Sequence, residues 1–330
     1  MTSNRVFLSL AVASGSAISI SLHAQPAAVQ QLQNNQIERE LQPPPMGLAV
    51  GTNAPELYPG EDLDVGPQRI LRLKLRPTYF DVLLDSQAFY SSDANFASGP
   101  FAISSPVFVN TVQAAFAPPA RDFLNGKAAA AVGFASQWYN YGDNRLENLD
   151  FNAETIFISG KYTIDNWQVG VGMNLTRLVA QENYDETYRE FMPNLGVQRV
   201  LPINNRMFFA VGDLVDYHLT RVPSVLGSRT DLNDRFDNIA SVTFTWQATR
   251  HLLFQPYYRF QYSYYQHNAL ATSDRNDFLE SVGLTAAYYF NAKISLRAFY
   301  NYNYRQTDDQ FTPAYHEMNG GLGVTLNVKF

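Results

Sequence analysis

The last eleven residues, "GGLGVTLNVKF" (320–330), alternate between two kinds of side chain. One parity is apolar and ends on an aromatic ring: Leu322, Val324, Leu326, Val328 and Phe330. The other parity is small or polar: Gly321, Gly323, Thr325, Asn327 and Lys329. Successive side chains of a strand point to opposite faces, so this pattern predicts a strand with one apolar face. Met318 and Glu317 continue the alternation, and the resulting length suits a membrane-spanning strand better than a soluble one.

The composition narrows the class of protein. The 330 residues include 20 Tyr and 23 Phe but no Cys, and the net charge is −6. Without cysteine the chain has neither a disulfide framework nor a thiolate metal site. The mild acidic charge, with no basic run, P-loop or glycine-rich dinucleotide turn, excludes nucleic acid as an expected partner.

The N-terminus has the pattern of an export signal. Arg5 supplies the positive start, residues 6–22 are uncharged and apolar to small, and Ala24 precedes an expected cleavage site. Residues 1–24 are therefore predicted to be a signal peptide that is removed on export. No other stretch approaches 18 consecutive apolar residues, so a helical membrane span is not expected in the mature chain.

The two-sided pattern recurs along the chain. Val282, Leu284 and Ala286, for example, alternate with polar or small residues. The recurrence predicts about twelve strands, near residues 70–85, 105–117, 127–140, 150–162, 166–179, 189–201, 206–220, 237–249, 251–266, 277–290, 293–305 and 316–330. An even number of strands places both ends of the sheet on the same side of the membrane.

The connections between these segments alternate in length. "TIDN", "PINN" and "NAK" are tight turns, whereas "YGDNRLENLD", "QENYDETYRE" and "VPSVLGSRTDLNDRFD" are long and polar. Such alternation is typical of a barrel with short periplasmic turns and long extracellular loops. The connection "PPARDFLNG" (118–126) is longer than its place among the short turns predicts.

The signal, the alternating strands, the loop lengths and the final "LGVTLNVKF" together resemble bacterial outer-membrane β-barrel proteins. The resemblance covers residues 70–330 and implies an all-β fold, an antiparallel transmembrane barrel of about 12 strands in contact with outer-membrane lipid. In that family the last strand is the signal read by the barrel-assembly machinery. Four positions match it here: Phe330, Val328, Leu326 and Val324.

Residues 25–69 differ from the rest of the chain. They are rich in Gln, Pro and Gly and poor in aromatics, which indicates an extension without a core of its own, periplasmic by topology. Its acidic residues precede the first predicted strand: Glu56, Glu61, Asp62 and Asp64. We expect residues 50–68 to fold against a basic wall of the lumen as a partial plug held by charge pairs.

That basic wall follows from the closure of the last strands against the first. Six cations share the periplasmic half of the predicted lumen: Arg72, Lys74, Arg76, Lys293, Arg297 and Lys329. Further candidate pore-lining residues are Arg259, Gln261, Asn301 and Asn327. They favour a porin-like channel for small polar or anionic solutes. Cations that serve only as paired lumen filler are the alternative.

Enzymatic chemistry has a single weak candidate. His218 and Asp216 share one strand face near the outer rim, where the carboxylate could orient the imidazole. No serine is placed beside them, and the acidic loops lack the spacing of a calcium site, so neither a metal nor a cofactor is expected. Two alternatives to a channel stay open: an enzyme acting on lipid at the rim, and a non-conducting barrel that displays binding loops.

The terminal aromatic residue provides a first test. Phe330→Asp, or deletion of Phe330, is expected to impair membrane insertion more than a comparable change in a long loop. The amount of heat-modifiable, membrane-inserted protein measures the effect. An unchanged amount in the Phe330→Asp variant would contradict the assembly role.

Overall fold

The chain folds into a closed, all-antiparallel β-barrel of twelve strands. The structure is a computed structural model that describes Leu32 and residues 77–97, 99–223, 230–267, 275–309, 312 and 314–330. Among these residues, no helix is long and apolar enough to cross a membrane. Two short 3-10 helices lie in the connections, at Gly99–Phe101 and Asn144–Leu149.

The strands are long, as a tilted membrane crossing requires. The barrel consists of β1 (Phe80–Ser91), β2 (Ser105–Phe116), β4 (Gly126–Tyr141), β5 (Phe151–Ile164), β6 (Trp167–Ala180), β7 (Glu186–Asn204), β8 (Met207–Arg221), β9 (Arg235–Gln247), β10 (Leu252–Tyr265), β11 (Arg275–Tyr289), β12 (Ile294–Thr307) and β13 (Tyr315–Lys329). A three-residue strand, β3 (Arg121–Phe123), pairs with the start of β4 in the connection after β2.

The barrel closes through the first and last strands. β1 pairs with β13 from Asp81↔Lys329 to Ser91↔Asn319, and on its other edge with β2. The backbone of Phe330 exchanges hydrogen bonds with Tyr79 and Phe80, at N to O distances of 2.7, 2.9 and 3.0 Å. The quoted C-terminal stretch is therefore the closing strand of the barrel.

Each strand presents its apolar parity outward. On β11, Val282 and Leu284 are exposed on the outer surface, whereas Ser281 is buried inside. On β13, Leu322 and Val324 are likewise exposed. In the hydrocarbon of a bilayer this exterior has apolar partners, and closure satisfies the backbone hydrogen bonds on both edges of every strand.

The two ends of the barrel differ in the length of their connections. The end that holds Phe80 and Phe330, here called the periplasmic end, has short turns at residues 165–166, 205–206, 248–251 and 290–293. At the opposite, outer end the strands are separated by longer stretches of sequence, residues 92–104, 142–150, 181–185, 222–234, 266–274 and 308–314. The nine residues between β2 and β4 contain β3, which accounts for the one long connection at the periplasmic end.

The observed strand boundaries agree with the predicted ones except in the first strand and at the outer ends of three later strands. The first strand begins at Phe80 and extends to Ser91, rather than covering 70–85, and residues 70–76 lie outside the described residues. At the outer end β7, β9 and β11 begin before the predicted positions, at Glu186, Arg235 and Arg275. Charged side chains on these strands point into the lumen, so the sequence there has the polarity of a loop.

The closing pair of strands provides a second test. A Cβ on Gly321 would overlap the Cβ of Phe89 and the carbonyl oxygen of Ala88 on β1, whereas a Cβ on Gly320 would only touch Tyr300 at 3.4 Å. Gly321→Ala is therefore expected to destabilise the barrel by about 1–3 kcal/mol, the cost of overpacking, and Gly320→Ala by less. Urea unfolding of the refolded protein in detergent measures both variants. Equal urea midpoints for Gly321→Ala and Gly320→Ala would show that the close approach of Gly321 to β1 does not limit closure of the barrel.

Candidate functional site

The lumen has two different sides. The main buried apolar cluster lines it on β1, β2 and β4 to β7, whereas most of the buried charged residues line it on β7 to β13, with Asp85 on β1 as an exception. Burial also differs along the axis, because lumen-facing residues are mostly buried in the outer half but partly exposed near the periplasmic end, as at Ser159 and Asn327. The lumen is thus accessible from the periplasmic end and packed toward the outer end.

Near the periplasmic end, the predicted cations lie beside carboxylates of β1. Arg297 Nη2 donates to Asp85 Oδ2 at 2.9 Å, and Thr325 Oγ1 donates to Asp85 Oδ1 at 2.6 Å. Lys329 Nζ lies 3.4 Å from Asp81 Oδ2. Because the strand that carries Asp81 and Asp85 begins ten residues later than predicted, the sequence pattern did not place these acids against the cations. Lys293 lies in an exposed turn.

The other predicted lining residues are distributed along β10, β12 and β13. Arg259 Nη2 donates to Ser281 at 2.9 Å, and Gln261 Nε2 donates to Asp237 at 3.1 Å. Asn301 is buried on β12, and Asn327 is half-buried near the periplasmic end. Arg72, Lys74 and Arg76 lie outside the described residues, as do the acidic residues 56–64.

The outer half of the charged side contains a compact group that we call the histidine cluster: Glu190, His218, Arg235 and Asp237. His218 Nδ1 lies 2.6 Å from Glu190 Oε1, and His218 Nε2 lies 3.0 Å from Asp237 Oδ2. Arg235 Nε donates to Asp237 at 3.0 Å. All four residues are buried, so water cannot solvate the positive charge of Arg235. The carboxylates of Glu190 and Asp237 compensate it instead.

Arginines and aromatic rings extend this group along the wall. The guanidinium carbon of Arg275 lies 3.8 Å from the ring centre of Tyr265, and Arg275 makes two hydrogen bonds to Asp277 at 3.0 and 2.6 Å. Arg305 lies over the ring of Tyr315 at 4.7 Å. Ring stacking and bidentate pairing hold guanidinium groups in fixed orientations. The sequence pattern assigned Arg275 and Tyr315 to loops. It placed Tyr265, Asp277 and Arg305 at the ends of predicted strands but did not identify them as lumen contacts.

His218 and Asp216 both face the lumen on β8, and the ring of His218 is 1% exposed. The imidazole contacts Glu190 and Asp237 through its two nitrogens, so both positions that could move a proton are engaged by carboxylates. The ring therefore lies inside the barrel. An enzyme acting on lipid would need it at the lipid surface.

The opposite side of the lumen is apolar. Tyr139 and Phe151 stack with ring centres 4.4 Å apart. What we call the apolar seat is the lumen-facing and loop residues packed around them: Phe89, Ala94, Val107, Val109, Tyr139, Tyr141, Leu146, Leu149, Phe151, Ala153, Leu178 and Tyr188. Leu32, which precedes the barrel in sequence, is 2% exposed and belongs to the same cluster.

The exterior of the barrel has the profile of a membrane surface. An apolar band, represented on β11 by Val282 and Leu284, separates two levels of exposed aromatic rings. Trp167 and Trp246 mark the periplasmic level, and Tyr304 lies toward the outer level. Aromatic rings of this kind favour the boundary between hydrocarbon and headgroups.

The comparisons with known proteins concern the fold. No family model and no curated protein match the sequence. An outer membrane channel from Pseudomonas putida F1 is 12% identical, with a TM-score of 0.49 over 80% of this chain and 100% of that one. The NanC porin is 13% identical, with a TM-score of 0.42 over 74% and 98%. The KdgM porin in complex with disordered oligogalacturonate is 8% identical, with a TM-score of 0.38 over 74% and 98%.

The chain has the fold of a membrane-spanning β-barrel. Its closed twelve-stranded sheet and apolar exterior give it a porin-like architecture.

One group of side chains in the outer loops has the composition of a metal site. The ligand atoms of Asp231, Asp234 and His267 lie within 4.8 Å of one another. Asp234 Oδ1 already accepts hydrogen bonds from the backbone N–H of Thr220 at 2.6 Å and from its hydroxyl at 2.8 Å. These contacts tie the loop to the end of β8 and give the carboxylate a structural role.

The first outer loop, residues 92–104, carries a perturbed carboxyl group. Asp93 is buried, and burial raises its pKa to about 6, although the N–H of Ala97 donates to it at 3.0 Å and Arg305 and His316 lie near. The backbone N–H of Asp93 donates to Ser91 Oγ, and this hydroxyl donates to Glu317 at 2.8 Å. Asp93 thus couples the loop to the wall of the lumen.

The raised pKa of Asp93 predicts that the stability of the first outer loop depends on pH. The folded loop binds the proton of Asp93 more tightly than the unfolded loop does. Protonation of Asp93 therefore stabilises the folded loop fully below the ordinary pKa of 3.8, and this stabilisation is lost as the pH rises through about 6. Hydrogen-exchange protection of residues 92–104, corrected for intrinsic rates, should fall between pH 5 and 7.5, and Asp93→Asn should remove that fall.

The second outer loop provides the control. Asp143 accepts hydrogen bonds from Arg145, which lower its pKa to about 2, so residues 142–150 should keep constant protection over the same range. The same slope in the first loop of wild type and Asp93→Asn would contradict the assignment to Asp93.

Proposed function

We propose that the barrel is a channel for small polar or anionic solutes. The observation that carries the proposal is the charge of the lumen wall on β9 to β13. Among the described residues, the lumen-facing cations there are Arg235, Arg259, Arg275, Arg297, Arg305 and Lys329. The lumen-facing carboxylates on the same strands are Asp237, Asp277 and Glu317, and Glu190 and Asp216 on β7 and β8 complete the charged side. On β7 to β13 the cations therefore outnumber the carboxylates by six to five.

The chemistry of this wall suits negatively charged solutes. A guanidinium presents a planar set of donors that matches a carboxylate, and four of the six cations are arginines of the buried outer half, fixed by rings or by hydrogen bonds. Asn301, Asn303 and Gln261 add neutral donors and acceptors along the same strands. A solute that moves along this side of the lumen would exchange water for these groups.

The two alternatives differ in what they require of the lumen. A barrel that only displays loops needs no ion pathway, and an enzyme acting on lipid needs a reactive group at the outer rim. The exposed polar positions in the periplasmic half, such as Ser159, and the enclosed position of His218 favour transport over both.

The targeting of the chain belongs to the same proposal. We infer that residues 1–24 are removed on export, that the mature chain begins at Gln25, and that the barrel-assembly machinery recognises the closing strand with Phe330. The three backbone hydrogen bonds that fix Phe330 to Tyr79 and Phe80 support a role for this residue in the final closure.

Ion selectivity tests the proposal. Asp85→Asn should raise the anion-to-cation permeability ratio, because Arg297 would lose its counter-charge, and Arg297→Gln should lower it. Each change is expected to be about two- to fivefold, since unit charges a few ångström apart interact by about 1 kcal/mol in water. Reversal potentials across a KCl gradient in planar bilayers measure the ratio.

Asp213→Asn is the control, because Asp213 lies on the outer surface, hydrogen-bonded to Asn238 at 2.9 Å. It should leave the ratio unchanged. A ratio that stays the same in all three variants would contradict a charged pathway along this wall.

A further inference from the structure

The position of Leu32 does not follow from a simple barrel. Leu32 has a helical backbone conformation and is 2% exposed within the apolar seat. Every other residue of that cluster belongs to β1, β2, β4 to β7 or the first two outer loops. Among the described residues, Leu32 is the one contributed from before the first strand.

The apolar seat lies in the outer half of the lumen. Val107 and Val109 are near the outer start of β2, Tyr139 and Tyr141 end β4, and Phe151 begins β5. Pro77, in contrast, lies at the periplasmic end beside Phe80. The 44 residues between Leu32 and Pro77 can span well over 100 Å when extended, so their length allows both positions.

The chemistry of the seat requires a partner. Lumen-facing positions of a water-filled barrel are ordinarily polar, yet Val107, Val109 and Leu178 face inward here and are at most 1% exposed. Apolar side chains in that position gain free energy only when another apolar group removes them from water. Leu32 is such a group.

We propose that the N-terminal segment that carries Leu32 is an internal plug, seated on the apolar seat in the outer half of the lumen. The plug limits conduction through the barrel until it leaves the seat. This role in conduction rests on the proposed channel function, whereas the position of Leu32 does not. An apolar seat also differs from the charge-held plug expected for residues 50–68, because salt would not release it.

The position is testable by distance measurement, since the chain has no cysteine of its own. Leu32→Cys is combined with Asn148→Cys in the second outer loop, or with Asn166→Cys in the periplasmic turn after β5, and spin labels are attached to each pair. These two reference sites are separated by about 45 Å along β5 and by about 35 Å along the barrel axis.

A plug predicts a narrow distance distribution between positions 32 and 148, with a mean shorter than that between 32 and 166. The same result at low and at high salt supports the apolar seat. Broad distributions to both reference sites, or a shorter distance to 166, would overturn the proposal. The heat-modifiable gel shift confirms that each labelled variant is a folded barrel.

Conductance tests the role of the plug. Leu32→Asp should raise the open probability in planar bilayers by roughly tenfold or more, the factor expected from exposing one buried leucine. Leu32→Met keeps an apolar side chain and should behave like wild type. Leu124→Asp is the matched control, because Leu124 is exposed in the periplasmic connection between β2 and β4.

The outcomes separate the plug from the channel. A Leu32→Asp barrel with the conductance of wild type overturns the plug, provided that wild type conducts. In the Leu32→Asp barrel, the distance between a spin label at position 148 and a second label on a residue that flanks position 32 shows whether the plug has left the seat. If the plug has left and the barrel still passes no current, the channel function is overturned together with the plug's role in conduction.

Discussion

The structure depends on the closure of one sheet. In the hydrocarbon of a bilayer a backbone amide has no water to bond, so every strand needs a hydrogen-bonded neighbour on each edge. The pairing of β1 with β13, from Asp81↔Lys329 to Ser91↔Asn319, meets this condition for the two strands that are farthest apart in sequence. Phe330 completes the pairing through its backbone and leaves its ring exposed.

Closure determines what the interior must contain. Once the apolar parity faces lipid, the other parity faces the lumen, and charges placed there lose much of their water. The barrel compensates them in pairs, as with Arg297 and Asp85, or in larger groups such as the histidine cluster. Stacking of Arg275 on Tyr265 and of Arg305 on Tyr315 serves the same purpose.

The lumen is asymmetric, and this asymmetry connects the two proposals. The charged side on β7 to β13 offers donors and acceptors to a solute, whereas the apolar seat offers nothing to a solute and a favourable surface to Leu32. One side can therefore form the pathway while the other side holds the segment that obstructs it. The first outer loop adjoins both sides, through Ala94 in the seat and through Asp93 beside the Ser91–Glu317 contact.

The sequence by itself determined the fold: alternation with a period of two, as in residues 320–330, predicts the strands, their outward faces and the closed barrel, because that period is a local property of the chain. It also identified Arg259, Gln261, Asn301 and Asn327 as residues of the polar parity. Only the tertiary structure placed Asp85 against Arg297, joined Glu190 and Asp237 to His218, and brought Leu32 to the apolar seat. The sequence could not predict those contacts because each joins parts of the chain that are distant in sequence and depends on the register of strand pairing or on packing inside the lumen. In addition, a charged residue that faces the lumen has the same local sequence pattern as a charged residue in a solvated loop.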